Sequence, residues 1–446
     1  MRRFAKDRLW VSPASYVAER YQSPLLGRIY AVLVILITIP YLSIQARSGG
    51  ILISSVTGFT YPVSSALVVI LVMIYVLRGG MKSVVQTDVV QILILLSITT
   101  IAFIIIGNTL HWNLQTTSES TGLFDRSGAG GSFPLPGYLA TMLLWFLADP
   151  MFPQLFQRFF AARSDMDLVK TAAIYPLITG ILFFMTIGAG VAGKSLYPAL
   201  TPGESDTIVM LSAQAAGGQI LLVLLVLAGL AALLSTMDSQ LLAIATIGTE
   251  SFVSKSMQNL TTERLLVVLL SLVGYAGALI PIKTILDFLS ASAFPAYAVL
   301  APLFFVGLYW KRAGRYGATA SLITGVGLVL FQTLFPGSVS LPKIVPPVLF
   351  NLLVQLAIFI SISLWFDTEG KDTGLSISIR SLVKSKRTVL GTLGICALVL
   401  LSIDFWNYAR KIPVVMGIPS FVWYSLLLCL LLAGTFWWTY RDVSSQ

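Results

Sequence analysis

Three short stretches carry the side chains that could do chemistry. In 230–250, LAALLSTMDSQLLAIATIGTE, two adjacent hydroxyls, Ser235 and Thr236, precede an acid, Asp238, and a further hydroxyl, Ser239. Hydroxyls in an apolar helix ordinarily bond back to a carbonyl one turn earlier. An ionisable residue in such a helix is a functional candidate by default. Asp238 is therefore read as tuning an ion site or lining an ion path, against a plain place in an aqueous vestibule. In 141–163, TMLLWFLADPMFPQLFQRFFAAR, Asp149 stands before Pro150, and Pro153 follows. Two prolines cannot sit in an unbroken helix without cost. The break is either a simple kink or a place where freed backbone groups face a central cavity. In 284–300, TILDFLSASAFPAYAVL, Ser290, Ser292, Pro295 and Tyr297 lie on a small-residue helix, a type that lets backbones approach closely. No nucleophile elbow, zinc-ligand spacing or phosphate loop occurs, so an enzyme reading has no support. The single histidine, His111, excludes a multi-histidine metal site and reads as a boundary residue. Cys396 and Cys429 fall inside late apolar stretches and make no disulfide framework.

The elements that must position these residues are membrane helices. The chain is 56% hydrophobic and 11% charged, with mean hydropathy +0.86, against about 25% charged residues in soluble domains. A spanning helix needs roughly 20 apolar residues. Twelve stretches qualify: 28–46, 60–78, 86–107, 137–157, 171–193, 218–245, 264–282, 285–309, 317–336, 344–366, 388–405 and 417–439. Their periodicity is helical, not the alternation of an outer-membrane barrel. With an even number of spans the termini share a side. That side holds 22 of the 29 Lys and Arg, so the positive-inside rule places both termini in the cytoplasm and the protein in the cell membrane. The net charge of +10 is spread over helix ends, which argues for the bilayer as partner and against nucleic acid. The N-terminal MRRFAKDRLWVSPASYVAERYQSP lacks the apolar core of a signal peptide.

Two segments point to a family. In 58–91, an apolar run ends at Gly79-Gly80-Met81-Lys82-Ser83, followed by Thr87, Asp88 and Gln91; this polar segment is expected to turn the chain at the surface before it recrosses. In 307–327, Gly307-Leu308-Tyr309-Trp310-Lys311-Arg312 runs through Gly317-Ala318 into a helix with Ser321, Gly325 and Gly327. Both, in this order, resemble the recurrent segments of the sodium:solute symporter family. The resemblance implies an all-α, leucine-transporter-like inverted-repeat fold of about twelve transmembrane helices. It divides the chain into a cytoplasmic segment 1–27, a transporter core 28–310 (partial first repeat 28–107, second repeat 137–310) and additional helices with a short tail, 311–446.

The same resemblance assigns residues. Family members use a Ser/Thr pair and a carbonyl one turn earlier for sodium, and these positions match Ser235, Thr236 and Ala232. Hydroxyl and carbonyl oxygens suit a hard monovalent cation. The stretch with Trp145, Pro153 and Arg158 resembles the family's substrate-site helix and departs from it at Asp149 and Gln154. The substrate-cavity candidates are Trp145, Asp149, Pro150, Ser292 and Tyr297. Arg158 reads as an anchor or gate. The segment SPASYVAERYQSP resembles the loop after the second helix of the first repeat. The fold is therefore expected to be N-terminally incomplete, lacking a first broken helix that shares the sodium site, so that the 446-residue form inserts without transporting. The implied function is sodium-coupled symport of a small organic solute of amino-acid, pantothenate or monocarboxylate type, with a lean to proline and pantothenate. The alternatives are a non-transporting remnant and a membrane-embedded solute sensor. Oligomeric state is left open.

Overall fold

The computed structural model describes the chain apart from residues 1–3, 5–7, 9, 11, 110–126, 128–133, 202, 283, 336, 340–341, 343–344, 367–373, 378–384, 409–413, 416–417 and 442–446, and apart from the side chains of 81–83, 195, 287, 291–292, 414 and 418–419. A short helix α1 (Pro13–Arg20) is followed by the long α2 (Pro24–Thr57). Pro24 opens α2, and the Ser23 hydroxyl caps it by accepting from the Leu26 N–H at 3.2 Å, satisfying one of the orphan donors of a helix start. Next come α3 (Tyr61–Gly80) and α4 (Val84–Thr109), then α5 (Leu135–Ala148), α6 (Pro153–Ala161), α7 (Asp165–Leu196), α8 (Ile208–Phe252) and α9 (Leu260–Ala278). The segment 285–309 holds α10 (Ile285–Phe288), a π turn (Leu289–Ala293), α11 (Phe294–Ala298) and α12 (Ala301–Tyr309). The last helices are α13 (Arg315–Leu334), α14 (Pro347–Phe366), α15 (Lys386–Ile403) and α16 (Ser420–Tyr440). Between the last two, β1 (Val414–Val415) and β2 (Ile418–Pro419) pair antiparallel.

Among the described residues, ten helices are long and apolar enough to cross a membrane, and eleven spans result if the bent pair at 135–161 counts as one. The remaining expected span, 285–309, is present in pieces. Pro295 has no N–H and crowds the carbonyl four residues earlier, and the π turn sits just ahead of it, a common site for such a bulge. Large apolar side chains cover the outward faces, with Leu93 60%, Ile187 63% and Trp365 79% exposed, as a lipid-facing surface requires.

Gly80 makes the turn between α3 and α4 with φ 59° and ψ −169°, a region essentially restricted to glycine. The expected turn is there, but it is shorter than expected. Thr87 and Asp88 already lie inside α4, with the Thr87 hydroxyl bonded back to Val84 O at 2.9 Å. Nothing stands within 4 Å of a Cβ built on Gly80, so substitution there meets backbone strain alone. Gly80→Ala is expected to cost on the order of 1–3 kcal/mol, while Gly79→Ala in the helix costs nothing comparable. Melting of the two variants in detergent checks this; equal melting temperatures would refute it.

The segment α1 docks across the end of α12. Arg20 is 3% exposed, and its guanidinium donates to Gly307 O at 2.7 Å and Trp310 O at 2.9 Å. Gly307 O lies in the last turn of α12, where carbonyls lack intrahelical partners, and Trp310 O, just past the helix, also accepts from the Ala313 N–H at 3.1 Å. Tyr21 donates to Leu303 O at 2.6 Å. At the same end of the bundle, Ser15 of α1 donates to Glu250 near the end of α8.

Candidate transport site

The break between α5 and α6 organises the interior. Asp149, Pro150 and Met151 form a single 3-10 turn, Phe152 is extended, and Pro153 starts α6. The axes on either side differ by 54°. The extended Phe152 swings its ring into an aromatic cluster: its centroid is 4.8 Å from Tyr297, 5.5 Å from Tyr41 and 5.8 Å from Phe294. Trp145 packs edge-on against Phe294 at 4.6 Å. Tyr297 is fully buried and donates to Thr38 Oγ1 at 2.8 Å, and the Thr38 hydroxyl donates on to Val34 O at 2.6 Å.

Asp149 stands at this cluster. It is half-buried, its Oδ1 has no hydrogen-bond partner among the described residues, and it opens the turn that ends at Phe152. A carboxylate without a cation beside aromatic faces can receive an ammonium group. Of the residues singled out in the sequence, Trp145, Asp149, Pro150 and Tyr297 come together here. The side chain of Ser292 lies outside the described residues. Ser290, in the π turn, and Pro295, on α11, line a separate cavity instead. The cluster also draws in Tyr41, Thr38 and Phe294, apolar or hydroxyl residues in apolar runs with no local signal to distinguish them, and Phe152, whose only signal is its place between Pro150 and Pro153.

The second arrangement is on α8. Ala232, Ser235 and Thr236 stand at i, i+3 and i+4 and so share a face, and all three are half-buried. The Thr236 hydroxyl donates to Ala232 O at 3.1 Å. This is the ordinary back-bond expected of the sequence. It also places two of the three candidate oxygens side by side while leaving lone pairs on the hydroxyl.

Asp238 is fully buried. Its Oδ2 accepts from Tyr75 of α3 at 2.7 Å, and its Oδ1 accepts from the Ser239 N–H and lies 3.1 Å from Ser239 Oγ. Ser239 Oγ in turn accepts from Arg158 Nη2 of α6 at 2.8 Å. The same Nη2 is paired with Asp88 Oδ2 of α4 at 2.5 Å. Four helices are thus joined through Tyr75, Asp238, Ser239, Arg158 and Asp88. On α8 this network follows Ser235 and Thr236 in the direction of Glu250, the end against which α1 is docked. The sequence places Asp88 in a surface turn; the structure places it inside α4, and an acid within an apolar helix is the signal for it.

An open helix break with an aromatic cluster, beside a helix with clustered hydroxyl and carbonyl oxygens, is the layout of an ion-and-solute site built on discontinuous helices. The sodium:solute symporter family profile matches residues 10–325. The chain belongs to that family. It is a sodium-coupled solute transport protein of a membrane, with sodium as the coupling ion, and not an enzyme. The symporter is 25% identical over 355 residues to the osmoregulated proline transporter OpuE of Bacillus subtilis (strain 168), an alignment covering 76% of this chain and 71% of that protein. It is 26% identical over 323 residues to the high-affinity proline transporter PutP of the same organism, covering 68% of this chain and 66% of that one. A sodium/proline symporter of Staphylococcus aureus is 25% identical over 301 residues, or 64% of this chain and 58% of the relative. Among solved structures, the substrate-bound outward-open state of a Na+-coupled sialic acid symporter superposes with TM-score 0.65 at 19% identity, covering 81% of this chain and 79% of that chain. The leucine-transporter-like fold, helical apart from the short β1–β2 pair, follows.

Proposed function

We propose that the solute is proline or a closely related small amino acid, carried with sodium. The observation that carries this is the aromatic cluster at the α5–α6 break with the unpartnered Asp149 carboxylate beside it. A pyrrolidine ring is an apolar body suited to aromatic faces, and its secondary ammonium suits a carboxylate. The named relatives that transport proline support the reading. In this assignment Trp145, Asp149, Pro150 and Tyr297 line the solute cavity, Ser292 remains a candidate, and Ala232, Ser235 and Thr236 contribute oxygens to sodium. Residues 28–310 make up the transporter core.

The test is uptake of labelled L-proline into proteoliposomes under an inward sodium gradient. It is run on the 446-residue chain. Sodium-stimulated uptake, blocked by excess unlabelled proline, is the expected result. No uptake, with the protein folded and inserted, would overturn the solute assignment.

We further infer that both termini face the cytoplasm, because 22 of the 29 basic residues fall on their side. Impermeant thiol reagents should reach single cysteines placed in 108–136 and 194–206 on intact cells, and those in 158–170 and 367–388 only after permeabilisation. The reverse pattern would invert the orientation.

A further inference from the structure

A cavity of about 580 Å³ lies between α5, α11, α13 and α14, on the far side of α11 from the aromatic cluster. Helix α11 separates the two. Phe294 and Tyr297 face the cluster, whereas Pro295, Ala298 and Val299 face the cavity. Leu144 and Leu147 of α5 supply another apolar wall.

None of the described lining residues is charged, yet several are amides or hydroxyls. Gln332 and Asn351 hold each other reciprocally: Gln332 Nε2 donates to Asn351 Oδ1 at 2.9 Å, and Asn351 Nδ2 donates to Gln332 Oε1 at 3.0 Å. Each amide has a second N–H and a second carbonyl lone pair to offer. One turn deeper on α14, Gln355 is 2% exposed, and its Oε1 is buried with no hydrogen-bond partner. Its amide nitrogen lies against Gly325 of α13, where a Cβ would collide with it. A glycine at this position thus makes room for the amide. A buried carbonyl oxygen without a donor is costly, and a ligand N–H entering the cavity would satisfy it.

We propose that this cavity is a second ligand site, separate from the transport site, for an uncharged amphiphile bearing an amide-like donor–acceptor head group. The head group pairs with Gln355 at the deep end, and the apolar part lies along α5 and α11. The volume is within the range of small-molecule pockets, roughly 300–1,000 Å³. Around Gln355, at the deep end, none of the described lining residues is charged, which selects against carboxylate and ammonium heads buried there unpaired. An occupant would press on the back of the helix that carries Phe294 and Tyr297.

The test uses the full 446-residue chain in lipid nanodiscs and a decanamide with a terminal diazirine as photolabel. Expected are saturable labelling of peptides from α5, α11 and α14, competition by decanamide, and no competition by decanoate or decyltrimethylammonium at equal concentration. Ala140→Trp, at a half-buried position of the cavity wall, should abolish labelling with the melting temperature unchanged. Gln355→Leu, which keeps the size and removes the amide, should weaken competition about tenfold, as expected for one hydrogen bond. Equal competition by the three head groups, or labelling indifferent to both substitutions, would overturn the proposal. Hexanamide separates the sources. If it competes as well as decanamide, the site is supported and fed from water. If only decanamide competes, the site is supported and fed from the bilayer. Competition by neither overturns it.

Discussion

Replacing Ser235 or Thr236 by alanine should raise the sodium concentration required for half-maximal uptake by about 5- to 150-fold. This is the factor that corresponds to losing roughly 1–3 kcal/mol from a desolvated ligand set. The double variant should lose more than either single one, without simple additivity, because the two hydroxyls act on one ion. Thr236→Ser keeps the oxygen and should retain most of the affinity. The competing view is that these are ordinary back-bonded hydroxyls. Thr186 supplies the control. It makes the same type of bond, to Leu182 O at 3.0 Å, but stands on α7 away from Ala232, so Thr186→Ala should leave the sodium titration unmoved. The measurement is initial uptake rate against sodium at fixed solute. A double variant with the wild-type titration would remove these residues from the site.

Breaking the Arg158–Asp88 pair should loosen the end of the bundle where α1 is docked. Removing one partner of a buried ion pair costs about 3–5 kcal/mol because the other charge is left unpaired. Here Asp88 is 17% exposed but Arg158 is 41% exposed, and solvent screens part of the loss. About 1–3 kcal/mol is the reasonable magnitude after that discount. Arg158→Ala is expected to be worse than Asp88→Asn. It removes the donor to both Asp88 and Ser239, while Asp88 already has one buried oxygen without a partner. If the network holds the path below Ser235 and Thr236 closed, each variant should raise the open population by the corresponding 5- to 150-fold. A cysteine replacing Thr236, with Cys396 and Cys429 removed, reports this by its rate of modification from the side of α1. The charge-exchanged double variant, Asp88→Arg with Arg158→Asp, should recover part of the closure. Unchanged labelling in both single variants, with unchanged melting, would show that the pair closes nothing.

Much of the architecture was legible because the bilayer imposes one-dimensional rules. A helix must supply enough apolar residues to cross and must satisfy its own backbone. Eleven of the twelve expected spans follow from that rule alone, counting the bent one. Proline and glycine act locally, so Pro150 and Pro153 placed the break and Gly79-Gly80 placed the turn. The family was legible through two loop-proximal segments with fixed spacing. Span lengths were less so. Hydropathy saw 28–46 where α2 runs Pro24–Thr57, because polar and glycine residues inside the bundle are buried by other helices instead of facing lipid.

What remained for the tertiary structure was partner choice and direction. Asp88 finds Arg158 across 70 residues, and Tyr75 finds Asp238 across 163; no local pattern in an apolar run encodes such pairings, which depend on how whole helices cross. The same holds for Tyr41 and Thr38 of α2, which complete the cluster around Phe152 and Tyr297. Direction failed at the π turn. A 3.6-residue period puts Ser290 and Tyr297, at i and i+7, on one face only while the helix stays regular; Pro295, on the same regular helix as Tyr297, points away from it either way. Each residue added to the turn rotates everything beyond it by about 100°. The sequence by itself therefore determined that this chain lives in a membrane, where its helices break and turn, and the family it resembles. The packing of the helices decided which side of α11 faces the transport site and which faces the second cavity, because that choice is made by rotation and contact in three dimensions, not by residue order.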